Sequence, residues 1–174
     1  KLEMAGDLNF SETVYGLGAG IFFIGYFLFE VPSNLILQRV GARLWLTRIM
    51  VTWGLVSALF AFVRTPAIFY LLRFLLGVAE AGFFPGVILY LTYWFPSHRR
   101  ARIVAIFMTG IPLSGILGNP LSGWIMDRFH DVLGLRGWQW LFVIEAAPAV
   151  IAGVVLYHYL GDGPKTAAWL SAEE

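Results

Sequence analysis

The chain has 174 residues, of which 59% are hydrophobic, 17% aromatic and 13% charged, and its mean hydropathy of +0.73 is too high for a soluble domain, where about 25% of residues are charged. Twelve Lys and Arg against eleven Asp and Glu leave a net charge of +1, which excludes the basic field that a phosphate backbone demands and so excludes nucleic acid as a partner. With no cysteine and three histidines, a disulfide framework, a thiolate zinc site and a cysteine nucleophile are excluded as well.

A helix rising 1.5 Å per residue needs about 20 apolar residues to cross a hydrocarbon core of roughly 30 Å. Five stretches qualify, and none alternates apolar and polar residues as barrel strands do. The expected fold is therefore an all-α, polytopic membrane helical bundle of five transmembrane helices. The chain opens on Lys1 rather than Met, and no charged segment with a short apolar core and cleavage site precedes the first long run. It reads as a piece of a longer protein with no signal peptide.

The opening stretch sets Lys1 against Glu3, Asp7 and Glu12. The first span follows, from about Val14 to Leu37, with Tyr26 at its centre and Glu30 one turn further on, just before Pro32, Ser33 and Asn34. These last residues read as a gate or a polar cluster at the helix end, beside a basic loop that holds Arg39, Gly41, Arg43 and Arg48. The second span runs from Leu44 to Val63 and turns at Arg64 to Pro66.

The third span, Ala67 to Phe95, carries two ionisable residues, Arg73 and Glu80. Each costs about 2.5–3.5 kcal/mol near the bilayer centre and so needs a reason. Seven residues are two helical turns, which sets both on nearly one face about 10 Å apart. Gly77, Ala81, Gly82 and Gly86 let a neighbouring helix approach and leave room for a cavity. One reading makes Arg73 the receiver of an anion and Glu80 a carboxyl that loads and unloads a proton. The other is a permanent ion pair that pins two helices together. An intramembrane ionisable group defaults to function.

A second basic loop, with Arg99, Arg100 and Arg102, leads to the fourth span, Ala101 to Gly123. Its Pro112-Leu-Ser-Gly and Pro120-Leu-Ser-Gly segments repeat at eight residues, and Pro112 and Pro120 are candidate bending points of a gate helix or part of a tightly packed small-residue face. No Lys follows the glycines, so this is no phosphate loop. A mixed loop with Asp127, Arg128, Asp131 and Arg136 precedes the fifth span, Trp140 to Leu160, in which Glu145 reads as structural and His158 as no metal ligand. The two Arg clusters face the cytoplasm by the positive-inside rule. In the tail, Ser171 and Glu174 form a capping box for a helix that begins where the sequence stops.

Taken together, Gly25-Tyr-Phe-Leu-Phe-Glu-Val-Pro-Ser-Asn34, Arg73-Phe-Leu-Leu-Gly-Val-Ala-Glu-Ala-Gly82, Tyr93-Trp-Phe-Pro96 and Gly137-Trp-Gln-Trp-Leu-Phe-Val-Ile-Glu145 resemble the anion:cation symporter family of the major facilitator superfamily. The resemblance covers essentially the whole chain, through Trp169-Leu-Ser171. It implies a single partial transmembrane domain over 1–174: helices two to six of an amino-terminal half without its first helix, and residues 161–174 beginning the central cytoplasmic loop. The segment Asn34-Leu-Ile-Leu-Gln-Arg-Val-Gly-Ala-Arg43 is similar to the superfamily's loop motif, keeping Arg39, Gly41 and Arg43. It departs at Asn34, usually Gly, and at Gln38, usually Asp, and so lacks the acid expected to pair with neighbouring helix ends.

The resemblance implies proton-driven uptake of a small organic anion such as a sugar acid, tartrate or an aromatic carboxylate, in a bacterial inner membrane. It puts Arg73 and Tyr26 on the substrate side and Glu80 in proton coupling, while Glu30, Asn34, Arg39, Gly41 and Arg43 keep the reading of gating and cytoplasmic-loop residues made from the sequence itself. The coupling ion is the proton gradient, with no cofactor and no metal. The expected partners are the anion, the lipid bilayer and a missing carboxy-terminal half of the same transporter. Anion exchange is the alternative transport reading, and a non-transporting sensor or assembly protein is the rival from another class. No nucleophile and base, and no metal-ligand constellation, argues for an enzyme.

Overall fold

Start signals in the sequence fix where the helices begin. The Ser11 side chain accepts from the Val14 N–H at 3.3 Å and caps α2 (Glu12–Val40). Thr65 caps α4 (Pro66–Glu80) in the same way, with Pro66 in the first turn, where its missing N–H leaves nothing unsatisfied. The computed structural model describes residues 2–163. A short α1 (Leu2–Leu8) precedes α2; α3 (Ala42–Leu59) ends in a 3₁₀ turn at Phe60–Phe62; α5 (Phe83–Trp94), α6 (Ser97–Met108), α7 (Gly110–Arg128) and α8 (Gly137–Tyr159) complete the order. Trp169, the Ser171–Glu174 box and most of the 161–174 stretch lie outside the described residues.

Five units are long and apolar enough to cross a membrane: Glu12–Val40, Ala42–Phe62, Pro66–Trp94, Ser97–Arg128 and Gly137–Tyr159. These are the five stretches expected from the sequence, but two of them are made of two helices each. Large apolar side chains such as Phe23, Phe27, Leu117 and Ile151 stand exposed on the outside, an inversion that suits lipid as the solvent.

Glycines set the two closest helix crossings. A methyl added at Gly25 would stand 2.7 Å from the Phe74 carbonyl, and one at Gly77 would strike the Phe22 carbonyl, so α2 and α4 meet backbone to backbone. On the other side, Gly54 meets Val150 and the Ala146 carbonyl, and Gly153 meets Val51, which seats α3 on α8. Small residues at such interfaces replace the hydrophobic drive that lipid removes. The sequence reading gave Gly77, Gly82 and Gly86 both a close neighbour and room for a cavity. The neighbour is there, but the space is filled, by Phe22, Ser33 and Leu37 respectively.

The fourth span is the loosest. No residue of α6 is buried, and in α7 only Ile125 is. Its two helices meet at Thr109, three residues before Pro112, where the backbone stays helical and the Thr109 N–H still bonds the Ala105 carbonyl at 3.2 Å, while Pro120 lies inside α7. A methyl at Gly110, Gly115, Gly118 or Gly123 would meet nothing within 4 Å, so among the described residues these glycines make no tight helix contact.

One end of the bundle is closed by an aromatic cluster of Phe10, Phe60, Phe69 and Trp138, with Tyr15 and Phe142 packed against it. There Asp7 on α1 accepts from Trp138 Nε1 at 2.9 Å and lies 3.8 Å from Arg136 Nε.

Candidate functional site

The third span is interrupted at the residue that carries its carboxyl. Glu80 is the last residue of α4; the Ala81 N–H still bonds the Gly77 carbonyl at 2.9 Å, and Gly82 then turns left-handed, with φ of 84°, before α5 starts at Phe83. Only glycine takes that conformation without strain. Ser33 of α2 lies directly against Gly82, leaving no room for a side chain there. A broken helix leaves carbonyls without donors, and Arg48 of α3 supplies one: its guanidinium donates to the Ala79 carbonyl at 3.2 Å while stacking on Trp45 at 4.2 Å. Trp45 Nε1 in turn donates to Ser33 Oγ at 2.9 Å. The cation also lies where the helix dipole is negative.

Arg48 was read from the sequence as one of a basic loop. It belongs to α3, in its second turn, and it secures the helix end beside Glu80. The available signal was its position inside the second apolar run rather than before it.

Arg73 lies about 10 Å from Glu80 along α4. Its guanidinium sits over the Phe69 ring at 5.1 Å and the Phe60 ring at 5.5 Å, a cation–π arrangement that holds the charge without neutralising it. Its Nε is buried with no hydrogen-bond partner. Beside it is a cavity of about 190 Å³ lined by Tyr15, Met126, Trp138 and Phe142 among others. Among the described residues, the ion pairs join Asp7, His130, Asp131 and Arg136; none joins Arg73 to Glu80. The permanent pair considered from the sequence is thus not formed, and the two groups occupy separate surroundings on one helix.

Tyr26 of α2 is half-buried where α2 crosses Gly77, and it lies near enough to Glu30 and Glu80 to interact with both electrostatically. The structure therefore groups Tyr26 with Glu80 and Glu30, and Arg73 with Tyr15.

The segment read as a gating loop is almost wholly helical. Glu30 and Asn34 lie inside α2, Arg39 is in its last turn, and Arg43 is already in α3. Only Gly41 lies between the helices, reversing the chain in one residue with φ of 92°. Asn34 Nδ2 donates to the Glu30 carbonyl at 2.8 Å. Asp162, just beyond α8, accepts the Arg43 backbone N–H at 2.8 Å, and the Arg43 guanidinium covers the Tyr157 ring at 4.6 Å. A carboxylate thus does reach this turn, although Gln38 stands where the sequence motif has its acid. Asp162 is too distant in sequence for any local pattern to reveal it.

A family model described as Major Facilitator Superfamily matches residues 1–174. The chain is 65% identical over 173 residues to a protein of Agrobacterium vitis named "Putative tartrate transporter", covering 99% of this chain and 40% of that one. It is 60% identical to "Putative metabolite transport protein NicT" of Pseudomonas putida, covering 100% of this chain and 40% of that one. Among solved structures, a bacterial homologue of the human lysosomal transporter Spinster, inward-facing and unoccupied, superposes with a TM-score of 0.75 at 18% identity, over 95% of this chain and 39% of that one. The last likeness speaks for the fold. The chain spans about two fifths of the length of these relatives.

Proposed function

The chain belongs to the Major Facilitator Superfamily, and from that premise we propose that it forms part of a secondary transporter that carries a small organic anion with protons. It is a multi-pass membrane protein, and the membrane we assign to it is the bacterial inner membrane. The observation that carries the reading is Arg73: a guanidinium inside a span, held over two rings, with its Nε buried and unpaired beside a cavity. A charge kept in this state within lipid is expensive unless an anion meets it. The names of the relatives support a carboxylate as that anion.

In this reading the anion's carboxylate docks on Arg73. Glu80, at the broken end of α4, takes up the proton, and Tyr26 offers its hydroxyl between Glu80 and the substrate. Glu30, Asn34, Arg39, Gly41 and Arg43 act in gating at the α2–α3 turn, and Pro112 and Pro120 let the fourth span bend. The rest of the relatives' length corresponds to the wall against which this half rocks around a site near the midplane.

The test is uptake of labelled tartrate by the natural full-length protein in proteoliposomes. An inwardly directed proton gradient alone should drive accumulation. Uptake that ignores the pH gradient but follows a counter-anion gradient would make the protein an exchanger, and no uptake at all with any carboxylate would remove the transport reading.

A further inference from the structure

One membrane-embedded carboxyl has no part in the scheme above. Glu145 lies on α8 about 12 Å along the axis beyond Gly137. Its Oε1 is hydrogen-bonded to Ser122 Oγ on α7. The same Oγ lies 2.8 Å from the Gly118 carbonyl, one turn earlier in α7.

A seryl hydroxyl has one hydrogen to give. When Ser122 donates it to Gly118, the contact with Glu145 requires a proton on the carboxyl. When the carboxyl is ionised it can only accept, so Ser122 donates to it and the Gly118 carbonyl loses its side-chain bond. The pair of contacts therefore describes a hydroxyl between two acceptors, and a proton on Glu145 is what frees it to serve Gly118.

A cavity of about 220 Å³ opens beside the carboxyl, walled by Trp53, Gly54 and Ser57 of α3 and by Phe142 and Ala146 of α8, against about 30 Å³ for one water. Phe142 also walls the Arg73 cavity, so the two share a lining ring. Charged groups on the neighbouring elements are occupied or distant. On α3, Arg43 covers Tyr157 and Arg48 holds Ala79. Asp127 and Arg128 end α7, Arg136 precedes α8 with Asp7 and Asp131, and His158 lies in the last turn of α8. Arg73 and Tyr15 line the other cavity with Phe142. Among the described residues no cation comes within ion-pair distance of Glu145.

Helix α7 is soft at this turn. A serine bonding back to the carbonyl four residues earlier bends a helix, and Pro120, between Gly118 and Ser122, withholds the N–H that the Ile116 carbonyl would accept.

We propose that Glu145 carries a second exchangeable proton of the transport cycle and that Ser122 converts its protonation into a change in the bend of α7. A proton arriving through the cavity adds to the carboxylate. The new O–H donates to Ser122 Oγ, whose own hydrogen turns to the Gly118 carbonyl, and loss of the proton reverses each movement. The role in the cycle rests on the proton-coupled reading above; the coupling to α7 does not.

The experiment is a spin-label distance measurement on the full-length protein in liposomes, with any cysteine outside these 174 residues replaced, since they contain none. Labels go on Gly115→Cys in α7, where a side chain meets nothing within 4 Å, and Ile151→Cys in α8, which is exposed. The distance distribution should shift between acid and alkaline buffer. Glu145→Gln should hold the acid distribution in both, and Ser122→Ala should lose the shift. A shift that survives Glu145→Gln overturns the proposal; if that variant does not fold, a shift that survives Ser122→Ala does so. If Glu80→Gln removes the shift and Glu145→Gln does not, the proton belongs to Glu80, and the inference falls while the proposed function stands. Failure of pH-driven uptake with the label shift intact removes the proton-coupled reading, and with it the role of Glu145 in the cycle, and leaves the coupling of Glu145 to α7 standing.

Discussion

The guanidinium of Arg48 donates to the carbonyl of Ala79 across 3.2 Å, reaching from α3 to the last turn of α4. This bond joins two spans at the point where the third one breaks, one residue from Glu80. Interhelical hydrogen bonds within membranes contribute on the order of 0.6–1.7 kcal/mol, so Arg48→Ala should lower the thermal midpoint in detergent only modestly. Its larger effect should be on coupling: pH-driven tartrate accumulation falls several-fold while counterflow survives. Arg48→Lys keeps the charge but not the planar stack on Trp45 and should recover only part of it. Equal loss of accumulation and counterflow would make Arg48 a purely structural clamp.

The glycine crossings give a matched comparison. Gly77→Ala directs a methyl at the Phe22 carbonyl, and backbone cannot step aside as a side chain can. Overpacking of this kind costs about 1–3 kcal/mol, and the thermal midpoint should fall accordingly. Gly115→Ala meets open space and replaces a poor helix former, worth up to about 1 kcal/mol in the other direction. Equal midpoints for the two variants would contradict the backbone contact between α2 and α4.

At the α2–α3 turn, Asp162 acts as a cap delivered from the segment just beyond α8. Asp162→Ala removes the acceptor for the Arg43 N–H and should cost about 1 kcal/mol, the usual worth of such a cap. Asp162→Asn keeps an acceptor and should cost less. Hydrogen exchange at the Arg43 amide reports the difference directly: faster in the alanine variant, near that of the parent in the asparagine one.

Arg73 and Glu80 should separate by assay. Glu80→Gln is expected to abolish pH-driven accumulation of tartrate and to spare counterflow. Arg73→Ala is expected to abolish both, because the anion has no cation to meet. In Arg73→Lys the point charge remains but the guanidinium plane over Phe60 and Phe69 does not, and affinity should fall about tenfold, or ~1.4 kcal/mol. Undiminished tartrate affinity in Arg73→Ala would remove the anion site from α4.

The five spans were legible because lipid imposes a length and a composition on each crossing: the run expected over Val14–Leu37, for instance, is the helix Glu12–Val40. The placement of Arg73 and Glu80 on one helix followed from spacing alone. The break after Glu80 was hidden because apolar counting runs unbroken through Ala67–Phe95, and the left-handed Gly82 resembles every other small residue in that run. Arg48 was hidden because loop charges are counted by neighbourhood, whereas its partner is a carbonyl, which has no signature in a sequence. Asp162 and Ser122 meet partners on other helices, Arg43 and Glu145, and such meetings depend on how helices are arranged rather than on any local pattern.

The seating of α3 on α8 through Gly54 and Gly153 also dictates an order of assembly. The α2–α4 crossing can close as soon as the third span has left the ribosome, since only the intervening segment must loop back. The Gly54 face of the second span must wait until the fifth span has been synthesised and inserted. A ribosome halted before α8 therefore leaves a nascent chain whose second span is already tied to its neighbours through Arg48 and Trp45 but still presents an unpacked glycine face, the kind of exposed surface that invites misassembly.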